Sequence, residues 1–286
     1  MAAQPMEAEG SKMQRLYDAC DMVFSSGRAG LPTPRQLGWL QGILDAMEPA
    51  DVGIDGSSGD ESTSCVAIDG SGDEAVDSGS DGSGDERSRA STTSDETSEG
   101  SVSSGRSGGG GSHGLILGHA IKQITYIHIH ECEDFSIGVF CFPAGARLPL
   151  HDHPRMVVLT KVLYGSIALK SYDWVTTPIS NPKRSGLAKV VADDSVLQAS
   201  SKASVLFPRS GGNIHSLIAL TPCAILDVLA PPYSEEQGRP STYYVDIPIP
   251  PLPGFVVVEE IDTPDDLRVA GAPYLGPELL FDLDSC

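Results

Sequence analysis

The chain has 286 residues, with 39 Asp and Glu against 19 Lys and Arg, and a formal net charge of −20. That balance excludes a nucleic-acid backbone and an anionic membrane surface as partners, because nothing offsets the repulsion. Six scattered cysteines without CxxC spacing read as free thiols of a reducing compartment; residues 1–10 show no secretory signal, and no apolar run in the sequence approaches the ~20 residues needed to span a bilayer.

Residues 1–11 read as a disordered N-terminus, and 12–54 as a helical segment. Met13, Leu16, Tyr17, Cys20, Val23 and Phe24 recur at helical spacing. A second helix opens at "TPRQ", where Thr33 caps, Pro34 suits the first helical position and Gln36 completes a capping box. Its apolar face is Leu37, Leu40, Ile43, Leu44 and Met47. Two short helices cannot enclose a core, so they are expected to pack on the C-terminal domain.

From Asp55 to Ser112 there are about 13 acidic residues against about three Arg, so roughly half of the net charge lies in a fifth of the chain. "DGSSGDES", "DGSGDEAV" and "DGSGDERS" repeat one another there. With almost nothing apolar to bury, 55–113 reads as a disordered acidic insert that serves as a solvated spacer.

Residues 114–286 change to a strand pattern. "ITYIHIHEC", "FSIGVFCF", "RMVVLTKVLYGSIALKSYDW", "LAKVVA", "SVLF", "IHSLIAL", "AILDVLA" and "TYYVDIPI" are β-branched and aromatic runs. Pro143-Ala144-Gly145, Tyr164-Gly165, Asp193-Asp194, Ser210-Gly211-Gly212 and Thr221-Pro222 separate them as turns. The fold class is mainly β, a jelly roll with the N-terminal helices packed on it.

The chain has seven histidines, and two of them stand one residue apart in "PLHDHPR". In an extended chain His151 and His153 point one way and Asp152 the other, so the two imidazoles can share a metal. His215, after the glycine turn of "PRSGGNIHSL", is the best third ligand. His128 and His130 form a rival pair on one face but lack the turns that would aim them into a barrel mouth. His113 and His119 read as solvated. Asp227 interrupts the apolar run "AILDVLA", where a carboxylate is rare unless it is paired or functional. Arg155, after the His-x-His-Pro turn, is a weaker candidate for the mouth.

Gly145, His151-x-His153 and Gly165 resemble the first motif of the cupin family; Pro208, Gly211-Gly212 and His215 resemble its second. The glutamate usual in cupins would fall near Val157 or Val158, so the likeness is to cupins with three histidines and no carboxylate. More specifically, "FCFPAGARLPLHDHPRMVVLTKVLYGSIALKSYDW", "LDVLAPPYSEEQGRPSTYYVDIP" and "DTPDDLRVAGAPYLGPEL" resemble the plant cysteine oxidase family, which is related to animal cysteamine dioxygenase. The likeness spans nearly everything but the acidic insert.

The resemblance implies a cupin with one Fe(II) per chain on His151, His153 and His215. It implies a thiol dioxygenase that adds both atoms of O2 to the N-terminal cysteine of a protein. The product, a sulfinic acid, is an essentially irreversible rung of sulfur oxidation. It would commit transcription regulators to an N-degron-type degradation pathway, which makes the enzyme an oxygen sensor. Asp227 is placed by the site, to orient a ligand imidazole or hold the substrate amine, and Tyr233 resembles a pocket tyrosine of the family. Ser241 stands where the family pattern "HCTYY" has cysteine, which removes the thiol needed for a cross-link to Tyr243. We expect a monomer of the cytoplasm and also the nucleus, with no nucleic-acid or membrane partner. Rival readings are a dioxygenase of small aminothiols (cysteine or cysteamine) and a non-redox metal-binding cupin.

Overall fold

The computed structural model describes residues 10–25, 30–54, 123–176, 178–180 and 183–280. The expected acidic insert over 55–113, with His113, and His119 lie outside these residues, as do 1–9.

Two helices form where the periodicity places them. In α1 (Lys12–Phe24) the Ser11 hydroxyl accepts from the Gln14 amide. In α2 (Pro34–Asp45) Thr33 and Gln36 make the expected reciprocal cap, and a 3-10 turn follows at Pro49–Val52. Met13, Leu16, Cys20, Leu40 and Leu44 are fully buried and share one core with Phe135, Ile137, Leu159 and Val228 of the strands. The helices therefore close one face of the sheet, as expected for elements with no core of their own. Helix α2 also grips the connection between β7 and β8: Asp45 accepts from the Ala203 amide (2.6 Å) and Gln41 donates to the Ala203 carbonyl (2.8 Å).

Thirteen strands follow: β1 (Ile124–Glu131), β2 (Ser136–Phe142), β3 (Arg147–His151), β4 (Val157–Tyr164), β5 (Ser166–Trp174), β6 (Ile179–Ser180), β7 (Arg184–Gln198), β8 (Ser204–Leu206), β9 (Ile214–Ala219), β10 (Cys223–Ala230), β11 (Tyr243–Pro248), β12 (Phe255–Ile261) and β13 (Val269–Ala272). One sheet runs β13-β1-β2-β10-β4-β8, the other β12-β11-β3-β9-β5-β7-β6, with a further β12–β7 pairing. All pairings but β1–β13 are antiparallel. This is the double-stranded β-helix, or jelly roll, that the strand spacing predicts. No helix among the described residues is long and apolar enough to cross a membrane.

Several details differ from the sequence reading; β3, β6 and β13 were not among the expected strands. Asp193-Asp194, read as a turn, lies inside β7; Asp194 takes φ +51°, and the β5–β7 ladder steps from Ser171↔Ala192 to Leu169↔Ser195 around the exposed pair. A bulge accommodates two polar residues without ending the strand. Strand β12, "FVVVEEI", was not among the expected strands although it is β-branched; it pairs with both β11 and β7.

Gly165, the turn between β4 and β5, has φ +73°, and a Cβ there would stand 2.1 Å from the Pro222 carbonyl oxygen. Only glycine fits both the conformation and the approach. The turn thereby hands the chain from the sheet that holds β4 to the sheet that holds β5, the two walls of the barrel. On β10 the inward side chains are Ile225, Asp227 and Leu229; on β9 they are His215 and Leu217. Register pairs Asp227 with Thr160 and His215 with His151, so the polar inward residues fall in one layer above an apolar one.

Candidate metal centre

His151 ends β3, His153 comes two residues later, and His215 sits at the start of β9. Their ring centroids lie 4.6–5.0 Å apart. One nitrogen from each falls within 4.8 Å of the others, and all three residues are buried. Asp152, between the two histidines, points away from them as alternation predicts. Its carboxylate accepts from Arg184 Nη1 (3.2 Å) and the Tyr244 hydroxyl (3.0 Å). Burial pushes that carboxyl up to about 6 against the opposing pull of Arg184.

The hydrogen bonds assign the tautomers. His151 Nδ1 faces the Pro149 carbonyl at 2.8 Å and His215 Nδ1 the Gly212 carbonyl at 3.3 Å, so each carries its proton on Nδ1. The Tyr233 hydroxyl donates to the Asp152 carbonyl at 2.8 Å; it therefore accepts from His153 Nδ1–H, also at 2.8 Å. His151 and His215 thereby keep Nε2 as a free acceptor, while His153 Nε2 also lies 3.5 Å from the Tyr233 hydroxyl. Burial lowers the pKa of each, well below the ordinary value for His153 and to about 3 for His215. Three neutral, pre-oriented imidazoles with converging lone pairs are what a divalent metal requires.

Residues that the sequence reading did not single out hold this geometry. Asn213, buried, accepts from the His153 amide (3.0 Å) and donates to its carbonyl (2.9 Å). Asp173 accepts from the amides of Gly211, Gly212 and Asn213 at 2.9–3.0 Å, which fixes the turn that delivers His215. The Asn in "GGNIH" was the one available signal; Asp173 had none, because its partners lie about forty residues away.

A cavity of about 420 Å3 opens from the three histidines. Asp227, Thr160, Tyr233, Ser241 and Tyr243 line its polar part, while Leu148, Leu169, Leu217 and Ile225 line the apolar layer below. Asp227 is buried, accepts from Thr160 Oγ1 at 2.6 Å, and is pushed up to about 6 by desolvation. Among the described residues it makes no direct hydrogen bond to the three histidines. Tyr233 lines the cavity, and its hydroxyl contacts His153 and the Asp152 carbonyl. Ser241 lines the cavity with Tyr233. Val158 lines the cavity as an apolar residue, and no carboxylate joins the three-histidine group among the described residues.

The lesser candidates separate. Arg155 donates to the carbonyls of Gln237 and Gly238 and does not line the cavity, so it is not a mouth residue. His128 and His130 do not share an environment. A bulge between them leaves His128 exposed, whereas His130 packs on Tyr17 and Phe135 at 4.9 and 5.0 Å.

Tyr233→Phe should lower metal affinity by about ten- to a hundredfold, as removal of an outer-sphere partner typically does. Metal retained per chain across a chelator series measures this; unchanged retention would show that the phenol does not support His153.

Fold and site together define a cupin-type jelly roll with a three-histidine centre that can hold a metal. The chain belongs to the PCO_ADO family, whose model matches residues 43–279. Plant cysteine oxidase 1 of Arabidopsis thaliana is 34% identical over 284 residues, covering 93% of this chain and 80% of the relative. Plant cysteine oxidase 2 of the same plant is 33% identical, covering 93% and 83%. The 2-aminoethanethiol dioxygenase of Mus musculus is 36% identical over 187 residues, 56% of this chain and 73% of the relative. The protein is a thiol dioxygenase of the cysteine dioxygenase type.

Proposed function

We propose that this enzyme uses one Fe(II), held by His151, His153 and His215, to oxidise the N-terminal cysteine of proteins to cysteine sulfinic acid. The observation that carries the reading is the set of three neutral imidazoles with no carboxylate, beside a cavity with a buried acid, Asp227. Neutral ligands leave the full charge of the ion to act on the substrate, and the missing carboxylate leaves coordination positions open. Fe(II) bound there lowers the pKa of the thiol and supplies the unpaired electrons that triplet O2 requires. The reaction balances without a reductant: the thiol sulfur loses four electrons, O2 gains them, and both oxygen atoms end on sulfur.

The chain's own residues orient and select. Tyr233 and the Pro149 and Gly212 carbonyls hold the three Nδ1–H groups, so that each Nε2 faces inward. Asp227 is placed to accept a hydrogen from the substrate's α-amine. The apolar layer beneath excludes water from the reacting sulfur. Because a sulfinic acid does not revert, oxidation commits the substrate, and the extent of oxidation reports oxygen. That suits the control of transcription regulators through an N-degron-type pathway, by a monomer acting in the cytoplasm and nucleus.

A peptide with a free N-terminal cysteine should gain two oxygen atoms in air, by mass spectrometry, with enzyme loaded anaerobically with iron. Its N-acetylated form should react far less, because acetylation removes the amine's charge and lone pair. Equal oxidation of both peptides would show that only a thiol is read, and would end the N-terminal-cysteine reading.

A further inference from the structure

Tyr126 reaches the cavity from β1, two strands away from β10 in the order β1-β2-β10. It can do so because β2 carries Gly138 between them. A Cβ at Gly138 would stand 2.3 Å from Tyr126 Oη and 2.5 Å from its Cε2 and Cζ. Gly138 does not occupy the left-handed region, so the glycine serves space and not backbone conformation. Gly138 is also the register partner of Asp227. The phenol therefore lies over the glycine at the strand position facing Asp227, close enough for the carboxylate's charge to add to burial in raising the phenol to about 12.

Neither group is satisfied on the cavity side. Thr160 occupies Asp227 Oδ1 and leaves Oδ2. Among the described residues, no hydrogen bond engages the Tyr126 hydroxyl, and it is not sealed from the cavity. A tyrosine kept only for its packing on Phe140, at 4.7 Å between centroids, would not need an oxygen directed at a buried acid.

We propose that Tyr126 recognises the first peptide carbonyl of the substrate. Its O–H donates to that oxygen while Asp227 accepts from the adjacent α-amine. The inference rests on the N-terminal-cysteine reading above. A carboxylate only accepts, whereas a phenol also donates. An N-terminal cysteine residue offers a donor and an acceptor on one Cα, which matches this pair. 2-Aminoethanethiol has the amine but no carbonyl, so Tyr126 favours peptides over small aminothiols.

The test is the ratio of kcat/KM for a Cys-initiated peptide to that for 2-aminoethanethiol, the latter followed as a substrate or as a competitive inhibitor. In Tyr126→Phe the ratio should fall by about three- to tenfold, the worth of one neutral hydrogen bond. Gly138→Ala, which keeps the phenol but displaces the ring, should lower the ratio in the same direction. Tyr126→Phe removes one oxygen and keeps the Phe140 contact, so it decides the matter even if Gly138→Ala fails to fold. Calorimetric affinities of a Ser-initiated peptide and 2-aminoethanol read the same ratio without turnover. An unchanged ratio in Tyr126→Phe, or an equal loss for both ligands, would overturn the inference. Failure of the wild type to oxidise the peptide at all would instead overturn the reading on which it rests.

Discussion

His215→Ala protein should fold, carry little iron and show almost no thiol oxidation. The residue supplies one of three clustered ring nitrogens, and among the described residues no carboxylate joins the group to replace it. The loss in metal affinity should exceed about a hundredfold, the upper range for an outer-sphere partner, because a metal-ligand bond itself is removed. His151→Ala and His153→Ala should behave alike. Burial holds all three imidazoles neutral, so removing one relieves no charge and the fold should tolerate the change. His128→Ala is the control; that residue is exposed on β1, outside the three-histidine group, and iron should stay bound. Iron per chain by elemental analysis and sulfinic acid by mass spectrometry measure the outcome. Full occupancy in His215→Ala would remove the third ligand from the assignment.

Asp227→Asn should reduce catalytic efficiency by about ten- to a hundredfold, the worth of one charge-assisted hydrogen bond to the substrate amine. Iron content should change much less, because Asp227 contacts none of the histidine nitrogens. The wild-type efficiency should also fall as the pH drops through about 6, where the buried Asp227 takes up its proton. The Asn variant should lose that limb of the profile.

Stability should move in the opposite sense. The folded pKa of Asp227 lies above its ordinary value of 3.8, so the folded state binds the proton more tightly than the unfolded one. The contribution is fully present below about pH 4 and is lost as pH rises to about 6, by roughly 3 kcal/mol for a shift of about two pH units. Metal-free Asp227→Asn should thus be more stable than wild type at pH 7.5, with the difference vanishing near pH 4. Denaturant midpoints at the two pH values test this. A variant less stable than wild type at pH 7.5 would mean that the carboxylate is structural.

Much of the site was legible in the sequence because it depends on local rules. Alternation alone places His151 and His153 on one side and turns Asp152 away, as the Arg184 and Tyr244 contacts of Asp152 bear out. The glycine turn before His215, the cap at Thr33 and Gln36, and the charge of Asp227 within an apolar strand are likewise features of a few neighbouring residues. Alternation fixes which face a side chain takes but not what it meets there. Tyr233 was therefore a pocket tyrosine in the sequence and a clamp on His153 in the structure. Asp193-Asp194 looked like a turn because two exposed acids and a bulge share one signature.

What only the tertiary structure decided is which nitrogen of each histidine is free, and hence whether the cluster can bind a metal. That depends on partners distant in sequence: Tyr233 for His153 and Asp173 for the turn before His215. Each of these contacts forms only when segments far apart in the chain are brought together by the fold. A hydrogen-bond partner across a barrel leaves no periodicity in the sequence, whereas the face of a strand does.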